Sequence, residues 1–333
     1  METVRIGVVG VGGMGSFHAR TLAGLAHVDV VAVADPYEPN ALSVAAELGA
    51  RALFDPMELA QSTDLDGIVV ASPDATHADL TIAAIAKGTH VLCEKPLATN
   101  VADARRVADA EVALGQRLVQ LAFMREYDPA HLQLMAELPA IGEIHYVRTV
   151  HRNSNEFPRP LEQIVGQSMV HDIHSVRFLT GQEIVSVMAF GSAACGSSFQ
   201  HVMAVCELSS GIHATIEFDD HGYAYDVSVE MLGAGGDALT GLPSRAVTRR
   251  NGAVNTFIGP DWFAWFADAY RLQDAAWIES IRAGSTVGPS VWDGVVSQLV
   301  IDAIMTSLHT RLPVDVAVVD RPAIYERTAA SRT

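Results

Sequence analysis

Cysteine is scarce in this chain, and so is positive charge. The three cysteines in 333 residues, Cys93, Cys195 and Cys206, are odd in number and share no metal-binding or redox spacing. That suits a reducing cytoplasm, and all three are expected to be packing residues. Lys and Arg total 22 against 39 Asp and Glu, a formal net charge of −17. Such a chain is a poor counterion for nucleic acid or anionic lipid, so its ligand is expected to be small. Long apolar runs are lacking too: Asp, Glu, Arg or Gly breaks each one before the roughly 20 residues that a spanning helix needs. The N-terminus has one Arg ahead of an apolar run that turns glycine-rich at Gly10, with no small-residue cleavage site, and it reads as a strand rather than a signal peptide. What the chain does have is 49% apolar residues, enough to bury a large interior at a length suited to two domains.

The first third alternates short apolar runs (4–9, 28–34, 67–71, 89–93 and 117–123) with segments carrying Ala and Leu at helical spacing (14–26, 41–48, 76–87 and 101–114). Gly49, Gly88 and Gly115 stand as helix stops. This alternation predicts a doubly wound parallel sheet over residues 1–123. Beyond residue 124 the runs lengthen and alternate (143–151, 183–191, 200–208, 212–218 and 223–232), and Ser209-Ser210-Gly211 joins two of them as a hairpin. Together with helices near 168–179, 262–282 and 291–308, they predict an α+β domain over 124–333 built on an open antiparallel sheet.

The first strand runs into Gly10-Val11-Gly12-Gly13-Met14-Gly15, a G-x-G-x-x-G between strand and helix. Gly10 permits the tight turn, Gly12 lets the backbone approach a pyrophosphate, and Gly15 lets helix and strand pack closely. The helix start at Gly13 and Met14 supplies N–H groups and a positive dipole end. Twenty residues after Gly15 the second strand ends at Asp35, placed to accept both ribose hydroxyls of an adenosine. A 2′-phosphate would meet that carboxylate with no Arg or Lys in Pro36-Tyr37, so the cofactor expected of this Rossmann half is NAD. Ser72 and Pro73 follow another parallel strand at the edge where such sheets bind ligands, and His77 is either a solvent-facing residue at a helix start or a cofactor contact.

Residues 89–93 lead into Glu94-Lys95-Pro96. The proline cannot continue the strand, so Glu94 and Lys95 should border the crevice holding the nicotinamide, with the Lys95 ammonium projecting into it. With the glycine motif and Asp35 already in place, this chain resembles the Gfo/Idh/MocA oxidoreductase family, in particular its inositol-dehydrogenase branch. Phe123-Met124-Arg125-Glu126-Tyr127-Asp128, His151-Arg152-Asn153 and Tyr223-Ala224-Tyr225-Asp226 look like family segments of the second domain.

The resemblance implies NAD-dependent oxidation of a secondary ring hydroxyl of a cyclic polyol, sugar or sugar derivative, with Lys95 and His171 as catalytic residues. Gln167, Arg125, Asn153, Tyr223 and Tyr225 would orient the other hydroxyls. One position departs from the family, whose usual Asp-x-x-x-His reads here Gln167-Ser168-Met169-Val170-His171. A glutamine can hold a hydroxyl but carries no charge to raise a neighbour's basicity. Asp172 follows His171, but adjacent helical positions diverge by about 100°, so it does not substitute directly. His171 and His174 lack a third ligand at suggestive spacing, and no metal is expected. The resemblance also implies a homodimer or homotetramer formed through the second domain's sheet. Two other readings stand beside it: a non-enzymatic NAD-binding regulator, and an NAD-assisted glycoside-cleaving enzyme.

Overall fold

The computed structural model describes residues 2–155, 159–192, 201–240, 247–251, 253–256, 261–317 and 319–326; the side chains of Tyr223, 247–250 and 253–256 lie outside this description, as does Cys195. The chain forms two compact units. The first comprises Met1–Phe123, Arg271–Gln298 and Val319–Thr333, and the second Met124–Tyr270 and Leu299–Val318. The sequence predicts a single boundary near 123. The chain instead returns to the first unit after residue 270, because helical periodicity says that a segment is a helix but not which core it joins.

In the first unit β1 (Val4–Val9) leads to α1 (Gly13–Ala23), β2 (Val28–Ala34), α2 (Glu38–Leu48), β3 (Arg51–Leu53) and α3 (Pro56–Ala60). Then come β4 (Gly67–Val70), α4 (His77–Ile85), β5 (His90–Cys93), α5 (Val101–Leu114) and β6 (Val119–Leu121). All neighbouring strands pair in parallel in the order β3-β2-β1-β4-β5-β6, the doubly wound arrangement whose switch point lies between β1 and β4. The strands are nearly continuous Val, Ile and Leu because helices cover both faces. Trp277 is fully buried in this core; a Cβ added to Gly67 of β4 would come within 2.9 Å of its ring.

In the second unit α6 (Pro129–Ile141) precedes β7 (Ile144–Ser154), and α7 (Leu161–Gln163) runs into a π-helical stretch, Ile164–Met169, that continues as α8 (Val170–Thr180). β8 (Ile184–Ser192), β9 (His201–Leu208), β10 (His213–Asp219), β11 (His221–Gly233) and β12 (Gly236–Leu239) follow, with a small hairpin of β13 (Val247–Arg250) and β14 (Ala253–Thr256). The helices α9 (Trp262–Ala283) and α10 (Val291–Thr310) contribute to both units, and β15 (Val314–Asp315) closes the second. The large sheet has the order β12-β11-β7-β10-β9-β8-β15.

Its predicted antiparallel character is corrected: β7 and β10 pair in parallel, so the sheet is mixed. The long connection through α7 and α8 supplies the crossover that a parallel pair requires, and alternation of apolar residues does not encode strand direction. Among the described residues α10 is long and apolar enough to cross a bilayer by length and composition, with Asp293, Gly294 and Asp302 interrupting its apolar run, and 78% of that window is buried within the protein. A helix apolar on all sides belongs in such a core.

Candidate active site

The dinucleotide loop is shaped by sterics. Gly10 has φ +79°, and a Cβ there would lie 2.5 Å from the Ser72 backbone; a side chain is excluded where the turn after β1 crosses the turn after β4. At Gly15 an added Cβ would lie 1.7 Å from the Gly10 carbonyl oxygen. Gly12 and Gly13 instead face open space, and α1 begins with no side chain capping its N–H groups. The sequence thus leaves an uncapped helix start beside two glycines whose Cβ positions meet nothing within 4 Å among the described residues, which is the arrangement a pyrophosphate needs.

Asp35 closes this cradle at the end of β2. Its Oδ2 accepts the Val11 N–H at 3.0 Å and its Oδ1 the Tyr37 N–H at 2.9 Å. Each oxygen retains one acceptor site, two in all, matching the two hydroxyls of a ribose. The residues present therefore fit NAD.

Ser72 and Pro73 occupy the turn after β4, where Ser72 Oγ lies 2.6 Å from Thr76 Oγ1. His77 is neither solvent-facing nor free to contact a cofactor through its nitrogens. It is 1% exposed, with Nδ1 2.8 Å from the Pro96 carbonyl and Nε2 2.7 Å from the Ser72 carbonyl. It braces the turn after β4 against the turn after β5. Glu94 is buried and Lys95 half-buried at the carboxyl end of β5, the edge that the sequence predicts.

In the second unit, α8 lies against β7 and β10. His171 is 7% exposed on its first turn, and Gln167 is half-buried within the π-helical stretch. Here the backbone bonds skip to the fifth residue, so Gln167 and His171 do not share the simple four-residue register of an α-helix. His174 is buried with Nε2 2.8 Å from Glu126 Oε1, and stacks on Phe178.

Arg125 and Tyr225 call for revision as residues that orient substrate. Arg125 is 1% exposed and donates to Asp172 Oδ1 at 2.7 Å, with its guanidinium carbon 5.6 Å from the Phe266 ring centroid. Tyr225 hydrogen-bonds Arg125 inside the same cluster, where burial pushes its phenol well above the ordinary value. His151 Nδ1 lies 2.9 Å from Asp172 Oδ2 and 3.2 Å from Arg125. A ring nitrogen cannot donate to one and accept from the other at once, and we assign its hydrogen to the closer carboxylate. Burial, aided by the Arg125 charge, lowers the His151 pKa. For Asp172 burial is opposed and outweighed by Arg125 and His151, leaving its carboxyl below the usual range. This closed cluster fixes α8 on β7.

Asn153 donates to Asp220 Oδ1 at 3.3 Å, and Asn155 and Arg159 hold the same carboxylate. Arg159 continues to Ser168 Oγ at 2.9 Å, tying the end of β7 to the π-helical stretch. Tyr223 lies on β11, its side chain outside the described residues. Sequence reasoning missed Asp220, Arg159 and the role of Asp172. Only Asp172 left a trace, through its divergence from His171 around the helix.

The first unit matches, over residues 4–123, a family model described as an oxidoreductase family with an NAD-binding Rossmann fold. Residues 131–238 match the GFO/IDH/MocA C-terminal domain. A protein named inositol 2-dehydrogenase 1 from Saccharopolyspora erythraea is 40% identical, the match covering 97% of this chain and 99% of that protein. The chain belongs to the Gfo/Idh/MocA oxidoreductase family. A protein named inositol 2-dehydrogenase from Rubrobacter xylanophilus is 35% identical over 98% of this chain and 97% of its own. Among solved structures, myo-inositol dehydrogenase from Lactobacillus casei in complex with NAD(H) and myo-inositol superposes with a TM-score of 0.93. It is 25% identical and covers 97% of this chain and all of its own.

Proposed function

We propose that this protein is an NAD-dependent dehydrogenase of inositol-type cyclic polyols, oxidising a secondary ring hydroxyl to a ketone. The observation that carries the reading is the near-full-length likeness to inositol 2-dehydrogenases, joined to a dinucleotide cradle whose open glycines and half-used Asp35 carboxylate suit NAD.

When bound, the nicotinamide supplies the hydride acceptor. The carbinol must also lose a proton, and a base within about 3 Å of its oxygen is required. His171 takes that proton at a ring nitrogen. Lys95 hydrogen-bonds the same oxygen through its ammonium, stabilising the negative charge that develops there. Gln167, Asn153 and Tyr223 orient the remaining hydroxyls, while Arg125 and Tyr225 act from behind by holding Asp172 and with it the start of α8. The glycine loop, Asp35, Ser72 and Pro73 hold the cofactor.

The same reading places the protein in the cytoplasm as a homodimer or homotetramer assembled through the second unit's sheet. Cys93 and Cys206, free and buried, suit a reducing compartment. The half-exposed Met203 and Val205, with exposed Phe190, give one sheet face apolar surface for a second copy. The test is NADH formation when NAD is supplied with individual inositols, hexoses and glycosides. Turnover on an inositol with NADH accumulating is expected. Absence of turnover on every polyol would favour the regulator, and product release without net NADH would favour glycoside cleavage.

A further inference from the structure

Behind Lys95 the first unit holds a buried charged array that proton and hydride transfer do not by themselves require. His18, on α1 shortly after the glycine loop, is fully buried. Its Nδ1 lies 2.9 Å from both carboxylate oxygens of Asp274 on α9, and its Nε2 lies 3.1 Å from Glu94 Oε1. The other Glu94 oxygen, Oε2, accepts the backbone N–H of Lys95 at 3.1 Å. An unbroken series of contacts therefore runs from Asp274 through His18 and Glu94 to Lys95.

The chemistry of the array fixes its charges. Two carboxylates facing the two nitrogens of one ring are satisfied together only if both nitrogens carry hydrogen, which makes His18 an imidazolium. Burial opposes that charge, but Asp274 and then Glu94 outweigh it and raise the pKa to about 10. Burial would raise the Glu94 carboxyl, but the His18 hydrogen bond and charge, with the charge of Lys95, hold it low. On the far side Gln273 lies beside Asp274. Imidazolium and ammonium balance two carboxylates. As a stabilising device such an array has little advantage over apolar residues of similar volume; its place at the back of the one lysine on this sheet edge is what gives it a use.

We propose that His18 is a positioning residue for Lys95: held by Asp274, it fixes the Glu94 carboxylate, whose second oxygen pins the Lys95 backbone where the sheet ends. This rests on the reading of Lys95 given under Proposed function. A displacement of about 1 Å at a reacting group costs on the order of 10²-fold in rate. His18→Gln, which cannot bridge two carboxylates and carries no charge, should therefore lower kcat on myo-inositol by about 10–100-fold. The Kd for NAD, measured by calorimetry, and the KM for myo-inositol should stay within about threefold.

The deciding measurement is a cycle with Lys95→Ala. If His18 acts through Lys95, adding His18→Gln to Lys95→Ala lowers kcat no further. An equal loss in both backgrounds, an unchanged kcat in His18→Gln, or a loss of NAD affinity matching the loss of rate would each overturn the proposal while leaving Lys95 in place. Full turnover in Lys95→Ala alone would remove the reading of Lys95 and this proposal with it. Should His18→Gln not fold, His18→Gln/Asp274→Asn, which deletes one charge of each sign, carries the same cycle.

Discussion

Replacing Asp35 with alanine removes at once the carboxylate that holds the glycine loop and the charge proposed to choose the cofactor. Two of its acceptor sites take the Val11 and Tyr37 N–H groups, and the other two are left for ribose hydroxyls. Each hydrogen bond to a charged acceptor contributes about 1.5–3 kcal/mol, so NAD affinity should fall by at least 10-fold, roughly one such bond. NADP gains where NAD loses. One unit of phosphate charge about 5 Å from the carboxylate, at an effective dielectric of about 20, is repelled by about 3 kcal/mol. The 2′-phosphate carries close to two units, and salt with a Debye length of about 8 Å screens the exposed part. The ratio of the two dissociation constants should therefore move toward NADP by about 10²–10³-fold. Asp35→Asn should move it nearly as far, since charge repels the phosphate, yet lose stability because its amide NH₂ meets a backbone N–H. Calorimetric titration of both cofactors at low and high ionic strength measures the ratio. Tighter binding of NADP by the unmodified protein, or an unchanged ratio in both variants, refutes the reasoning.

Lys95→Ala and His171→Ala should each lower kcat by about 10²–10⁴ with NAD affinity nearly intact; steady-state kinetics with calorimetry checks this, and a variant with full turnover leaves the mechanism. Gln167→Asp should raise the apparent pKa governing kcat/KM by about one unit, through a charge some 4–6 Å from the base; a pH-rate profile without a shift places Gln167 away from the reacting group. Arg125→Met strands the fully buried Asp172 carboxylate and should cost about 3–5 kcal/mol in denaturant unfolding. His18 gains stability from a pKa raised from 6.5 to about 10. That contribution is complete below 6.5 and is lost as pH rises toward 10, so unfolding free energy should decline across this window, and the decline should be absent in His18→Gln.

The first unit was legible where backbone constraint and sequence coincide. Gly10 and Gly15 are dictated by contacts of 2.5 and 1.7 Å that leave no room for a side chain, and Asp35 by the end of a strand whose span, Val28–Ala34, follows from its apolar run. Short or proline-bearing elements were not legible: β3 has three residues, and α6 carries Pro129 at its start and Pro139 within. Pairing direction was hidden as well, since β7 and β10 look alike whether parallel or antiparallel. Charged partners were hidden most deeply. His18 and Asp274 stand 256 positions apart, and no local pattern joins them. Arg125 was visible as a polar residue near a domain start, but only the fold shows that its charge is consumed by Asp172.

The π-helical stretch Ile164–Met169 makes chain length a determinant of what the site presents. It holds one residue more than an α-helical turn would, with Gly166 facing open space inside it. Removing a single residue would let the stretch relax into α8's register. Every position ahead of the deletion would then turn by about 100° about the helix axis relative to His171. A one-residue deletion would thus exchange the side chain one turn ahead of His171 without altering His171 itself.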